Sequence, residues 1–418
     1  LEKIIVKKSL NLHGSVRISG AKNAALPILA ASILGTEDIF LEDVPELKDV
    51  EIMVEVLESL GCKVDKVGKN KFIINSKNLN SYETKYELMN KMRASFLVMG
   101  PLLARMGKTV NSLPGGCNIG SRPIDLHLKG FEALGATIEN NVGDITAYSD
   151  KLVGSRIYLD FPSVGATENI IMAAVLAEGE TVIENAAMEP EIVDLANFLR
   201  KMGAKVSGAG TSTIRIKGVE ELKGCSHQVI PDRIEAGTFM VAAAICQGDI
   251  TVENVISSHM KPIVAKLEEC GAEVIENDDK IRVIGNSKLK PINIKTLPYP
   301  GFPTDMQAQF LALMTQLKGT SIAKETVFEN RFMHVDELVK MGADISVNDR
   351  EAVVTGGKKL KGEKVKATDL RAGAALILAG IVAEGETEIS EIYHIDRGYE
   401  NIEEKFRTLG AKIERVDN

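Results

Sequence analysis

Between Asn111 and His127 the chain reads NSLPGGCNIGSRPIDLH. One thiol, Cys117, stands among Gly115, Gly116 and Gly120, with Arg122 five residues on. A thiol in a cationic, accessible setting is a proton donor or a nucleophile near neutral pH. A guanidinium fork nearby suits phosphate or carboxylate, because both present paired oxygens. More polar groups gather at the starts of Ala-rich apolar segments: Lys22 and Asn23, Lys91 and Arg93, Thr167 and Glu168, Asp232 and Arg233, Thr304 and Asp305, Asp369 and Arg371. A helix start carries unsatisfied N–H groups and partial positive charge, so it caps with Asp or Thr and attracts anions. Capping accounts for Thr304, Asp305, Thr368 and Asp369. It does not account for Lys22, Arg93 or Arg371, since a cation there opposes the dipole unless an anion neutralises it. A phosphorylated or carboxylated ligand is the expectation.

The elements that must position these groups repeat. LESLGCKV, FEALGATI, LRKMGAKV, LEECGAEV, LVKMGADI and FRTLGAKI begin at Leu57, Phe131, Leu199, Leu267, Leu338 and Phe406, at intervals of 74, 68, 68, 71 and 68 residues. Each glycine falls where a helix should stop in a left-handed cap. The β-branched residue after it opens a strand. Earlier in each unit lies a segment apolar nearly all round, such as GAKNAALPILAASILG or TDLRAGAALILAGIVAEG. Such helices should be buried. Six units of about 70 residues, each unable to cover its own buried helix, predict a layered α/β protein of two lobes. The divide falls near Cys225–Pro231. Equivalent helix starts should share a face in each lobe and line a charged cleft.

The totals exclude other classes. The net charge of −8 over 418 residues gives no basic nucleic-acid footprint. No apolar run approaches the roughly 18 residues of a membrane span, and the N-terminal segment lacks an export pattern. Five cysteines without CxxC spacing predict neither disulfides nor a zinc site, as in a reducing cytoplasm. Cys62, Cys225, Cys246 and Cys270 read as structural. His13, His127, His227, His259 and His334 show no metal-ligand spacing, and His394 reads as a loop-packing residue. No metal is expected.

The stretches SGAKNAALPIL, PGGCNIGSRPIDLHLKGFEALGA, PSVGATENI, ENAAMEPEIVDLANFL, IPDRIEAGTF, FPTDMQAQF, ETVFENRFMHVDEL, ATDLRAGAALILAG and IYHIDRGYENI resemble the UDP-N-acetylglucosamine enolpyruvyl transferases, from Gly20 to Val416. The resemblance implies two inside-out α/β barrels of three units each: residues 21–229, carrying Cys117, and residues 1–20 with 230–418. The first strand then pairs into the second barrel, and the site lies between the two. It implies transfer of enolpyruvyl from phosphoenolpyruvate to the 3-hydroxyl of UDP-N-acetylglucosamine, with release of phosphate, at the start of peptidoglycan synthesis. No cofactor is implied, since phosphoenolpyruvate is a substrate.

By the same resemblance Cys117 is the general acid toward the methylene carbon. It also forms an adduct with phosphoenolpyruvate and is alkylated by fosfomycin. Asp305 is the general base. Lys22, Arg122 and Arg397 hold the phosphate, and Arg331, Arg371 and Arg397 lie around the carboxylate. Asn23, Arg93, Arg122, Pro123, Ile124, Asp125, Leu126, Ser163, Val164, Gly165, Thr304, Asp305 and Val327 match nucleotide-sugar contacts, and Asp369 an acid near the reacting carbon. The run DFPSVGAT departs from the family's DKVSVGAT, so Phe161 or Pro162 stands where many members have lysine. Two other readings stay open: a 5-enolpyruvylshikimate-3-phosphate synthase, which lacks the GGC loop and reads GSKS for GAKN, and a binding-only relative.

Overall fold

The computed structural model describes residues 1–113 and 124–417. These form two compact units. One is split in sequence, Leu1–Ser19 with Pro231–Asn418; the other, residues 20–113 with 124–230, is inserted into it.

In the split unit, the helices Arg233–Ile245, Gln307–Met314 and Leu370–Val382 pack on one another. Nearly every residue of the three is buried, as their all-round apolar sequence requires. Phe239, Phe310 and Phe406 anchor this core at zero exposure. Truncating a phenylalanine so enclosed costs about 3–5 kcal/mol. The inserted unit has its own core on the helices Lys22–Ala31, Met99–Met106 and Val164–Ala174. The segment NKMRASFLVMGPLLARMG, which reads as one helix, is broken. Met92 is extended, a 3₁₀ segment Arg93–Val98 follows, and the α-helix begins only at Met99. Pro101 has no N–H to continue a helix from upstream, but sits well in a first turn.

Among the described residues, five four-stranded sheets share one plan. In the inserted unit, Cys225–Gln228 runs parallel to Ile39–Glu42, which pairs antiparallel with Lys71–Asn75, which pairs antiparallel with Lys63–Gly68. A further sheet there has three strands, Lys108–Ser112, Asp144–Tyr148 and Thr137–Asn140, and its parallel neighbour is reduced to one bridge, Glu83 to Val110. In the split unit one sheet closes on the N-terminal strand. Lys3–Lys7 lies between Glu386–Ser390 and Lys412–Val416, with Ile5 opposite both Glu388 and Glu414.

Amphipathic helices such as Lys48–Ser59 and Pro190–Lys201 cover these cores with one face, as Val50, Met53, Val56 and Leu57 do in the first. The glycine after each, in all six octamers, has φ between +98° and +109°. An L side chain would be strained there, so glycine is what lets each helix turn into the next strand.

Candidate active site

In the split unit, Asp305 lies in the 3₁₀ turn Thr304–Met306, directly ahead of the buried helix Gln307–Met314. Its Oδ1 accepts a hydrogen bond from Arg331 Nη2 at 3.0 Å, and its Oδ2 lies 3.7 Å from Arg371 Nη2. Both guanidiniums are 4% exposed and the carboxylate 28%. Nη1 of each arginine is buried without a hydrogen bond among the described residues. Two buried forks thus grip one half-open carboxylate and keep a donor in reserve, which fits binding of a second anion. Burial works against the charge on Arg371, but Tyr399, Asp305 and Asp232 outweigh it and hold its pKa above the ordinary value.

Capping holds for Asp369 alone among the four residues proposed. Its Oδ1 accepts from the N–H groups of Arg371 and Ala372 at 2.8 and 3.0 Å. The Thr304 hydroxyl instead donates to Glu325, and Asp305 is engaged by the arginines. The Thr368 hydroxyl is buried without a partner among the described residues. The reason is local: Thr304 and Asp305 lie inside a 3₁₀ turn, whose cap position is Pro303. His334, 1% exposed, is pushed down to about 4 by burial, with Asp369 opposing and Arg331 assisting. Its Nε2 has no partner among the described residues. Arg397 follows the short helix Tyr393–Asp396 and is half-buried, and Val327 lies half-buried on the loop leading to Arg331. His394 stacks on Tyr393 with ring centroids 4.2 Å apart.

In the inserted unit, Lys22 opens the helix Lys22–Ala31, and its Nζ is 2.7 Å from Oδ2 of Asp49, which is 1% exposed. The dipole conflict expected for Lys22 and Arg371 is thus relieved by the protein's own carboxylates, Asp49 and Asp305. Asn23 is exposed and Arg93 half-buried. Asp125 is the exposed first residue of the helix Asp125–Ala133, flanked by half-buried Ile124 and Leu126. Ser163 caps the helix Val164–Ala174, its Oγ accepting from Ala166 N–H at 3.2 Å, with Val164 and Gly165 in the first turn. Of Phe161 and Pro162, the two candidates for the place of the lysine, Phe161 is 45% exposed and Pro162 half-buried. Thr167 and Glu168 do not join this polar rim. They lie in the second turn at 0% and 3% exposure. Cys117, Arg122 and Pro123 lie outside the described residues.

His127 was not singled out by spacing, yet the structure seats it beside this turn. Asn169 Oδ1 accepts from Gly100 N–H, so its Nδ2 must be the donor to His127 Nδ1 at 3.0 Å. The proton of the neutral ring therefore sits on Nε2. Burial and Arg93 push its pKa to about 3, so the ring stays neutral. A Cβ on Gly165 would come within 3.2 Å of this ring. Only a residue without a side chain lets that helix start approach so closely. The remaining cysteines are poor nucleophiles: burial raises Cys62 and Cys270, and pushes Cys225 and Cys246 to about 11.

The family model described as EPSP synthase (3-phosphoshikimate 1-carboxyvinyltransferase) matches residues 6–406. The UDP-N-acetylglucosamine 1-carboxyvinyltransferase of Finegoldia magna is 66% identical over 420 residues, covering 100% of this chain and 99% of its own. The chain belongs to the UDP-N-acetylglucosamine 1-carboxyvinyltransferase family. The enzyme numbered 1 of that name from Caldanaerobacter subterraneus is 61% identical, with 99% of each chain covered. In fold, this transferase is similar to the enolpyruvyl transferase NikO from Streptomyces tendae, with a TM-score of 0.90 at 23% identity over 99% of both chains. It is also similar to EPSP synthase from Acinetobacter baumannii, with a TM-score of 0.79 at 19% identity over 100% of both. An α/β fold is common to them. Among the described residues no group of acidic, His or Cys side chains could hold a metal ion, and no helix is long and apolar enough to cross a membrane.

Proposed function

We propose that this chain transfers the enolpyruvyl group of phosphoenolpyruvate to the 3-hydroxyl of UDP-N-acetylglucosamine and releases phosphate, feeding peptidoglycan synthesis in the cytoplasm. The observation that carries this reading is full-length identity of 66% to a relative of that name. Each unit is read as an inside-out barrel of three repeats.

Chemically the reaction is addition, then elimination. Asp305 accepts the proton of the sugar hydroxyl as its oxygen bonds to the central carbon of phosphoenolpyruvate. Cys117 delivers a proton to the methylene carbon, which becomes methyl. The methyl group then loses a proton, the carbon–oxygen bond to phosphate breaks, and the double bond re-forms. Arg331 and Arg371, each with a buried unpaired Nη1, suit the carboxylate. Lys22, Arg122 and Arg397 suit the phosphate. Asn23, Arg93, Arg122 to Leu126, Ser163 to Gly165, Thr304 and Val327 are assigned to the nucleotide sugar, and Asp369 to the surroundings of the reacting carbon. No cofactor or metal enters this scheme. Cys117 is also the atom offered to a phosphoenolpyruvate adduct and to fosfomycin.

Phosphate release from phosphoenolpyruvate tests the reading. Release with UDP-N-acetylglucosamine and not with shikimate 3-phosphate is expected. The reverse would assign the chain to the sister activity, and release with neither would make it a binding protein. Cys117→Ser should lose most turnover at neutral pH, and full turnover in that variant would remove Cys117 as the acid.

A further inference from the structure

Behind the turn that carries Asp305 lies a carboxylate that the proposed chemistry does not use. Glu325 follows the strand Gly319–Lys324 and is 1% exposed. Its Oε1 accepts from the Thr304 hydroxyl at 2.8 Å. Its Oε2 accepts from the Thr296 hydroxyl at 2.7 Å and from the N–H groups of Val327 and Phe328 at 2.9 and 3.2 Å. Four donors converge on one carboxylate, three of them on Oε2. All four are neutral, so the group is not held there by an ion pair with any of them. The Thr296 hydroxyl in turn accepts from Thr326 N–H at 2.9 Å, which ties the strand end to the same loop.

We propose that Glu325 is a positioning residue for the acceptor substrate: its buried carboxylate spans and fixes Thr304 and Val327 relative to each other. This rests on the assignment of those two residues to the nucleotide sugar. The link is selective. It joins the acceptor segments, 21 residues apart between Thr304 and Glu325, and makes no hydrogen bond to Lys22, Arg331, Arg371 or Arg397, the cations assigned to the donor. Loop anchoring alone would need only backbone partners. A single side chain that sets a hydroxyl on one segment and an amide on another fixes geometry at the sub-ångström level at which binding is sensitive.

Two substitutions separate span from charge. Glu325→Asp keeps the charge but is one methylene too short to reach both segments. Glu325→Gln keeps the span: its carbonyl serves the Val327 side, while its amide donates to Thr304, whose hydroxyl turns to accept. The full-length variants are compared with wild type in steady-state kinetics and thermal melts. The KM for UDP-N-acetylglucosamine should rise at least tenfold in Glu325→Asp, with the KM for phosphoenolpyruvate within threefold of wild type. In Glu325→Gln both should stay within threefold. A smaller rise, an equal rise in both constants, or a loss in Glu325→Gln as large as in Glu325→Asp overturns the proposal. If Glu325→Asp does not fold, the same split is read from Thr296→Val, which removes one donor and one acceptor from the knot. Wild-type phosphate release, measured alongside, reports separately on the overall function.

Discussion

Glu235 in the split unit and Glu168 in the inserted unit occupy similar places, each fully enclosed near the start of a buried helix. Their neighbours differ. Glu235 contacts Lys405 Nζ, which also donates to the Ser19 hydroxyl at 2.7 Å, and Ser19 N–H reaches Glu235 at 3.4 Å. Burial pushes Glu235 up to about 7 against the pull of Lys405. Glu168 lies near more acid: burial raises its pKa well above 4.5, and Glu191 and Glu189 raise it further. Its Oε1 has no partner among the described residues. The same residue type at the same depth thus faces a cation in one unit and further acids in the other. Burial fixes the cost of the charge; the nearest cation decides whether the charge is kept.

The largest expected effect tests the balanced side. Asp305→Ala removes the carboxylate between Arg331 and Arg371, and kcat should fall by about 10²–10⁴, the usual contribution of a general base. A loss below tenfold would leave Asp305 a structural counter-ion. Next, Glu235→Gln should destabilise the chain by about 3 kcal/mol, because Lys405 is left without its buried partner. Denaturant unfolding followed by circular dichroism reads this directly. The identical change at Glu168 should go the other way and stabilise by about 1 kcal/mol, since it replaces an acid beside Glu191 and Glu189 with an amide that carries no charge against them.

Both acids hold their proton to higher pH in the folded chain, so the pH dependence of stability has the same sign for each. The folded chain holds the Glu168 proton to higher pH than the unfolded chain does. Its contribution to stability is therefore whole below 4.5 and declines as pH rises. The advantage of Glu168→Gln over wild type should grow between pH 5 and pH 8, and a flat difference would show that Glu168 is already ionised. The smallest effect is Gly165→Ala. Its Cβ would press on His127 at 3.2 Å, costing about 1 kcal/mol and slightly weakening nucleotide-sugar binding in calorimetry.

Local signals made much of this legible in the sequence. Six octamers marked six helix ends, because a left-handed glycine between an amphipathic helix and a β-branched run has few other uses. The buried helices announced themselves by being apolar all round. Asp305 was ambiguous, because an Asp ahead of a helix is equally a cap, and only the arrival of Arg331 and Arg371 from distant segments decides. Glu325 gave no signal. A glutamate between a lysine and a threonine at a strand end reads as surface, and its partners Thr296 and Thr304 come from outside its own segment. His127 was hidden likewise, since its register on Asp125–Ala133 gains meaning only once Asn169 and Gly165 are packed beside it. The break at Met92 was missed because all-round apolarity hides where one helix stops and another begins.

The strand Lys3–Lys7, seated between Glu386–Ser390 and Lys412–Val416, bears on the order of events during synthesis. It leaves the ribosome ahead of both of its partners. At 5–20 residues per second it waits roughly 20–80 s for them. The inserted unit emerges whole in that interval and can condense on its own core. A nascent chain halted shortly after Ile230 would carry one finished unit and two unpaired strands, His13–Arg17 and the more apolar Lys3–Lys7, the segment most in need of a chaperone's cover.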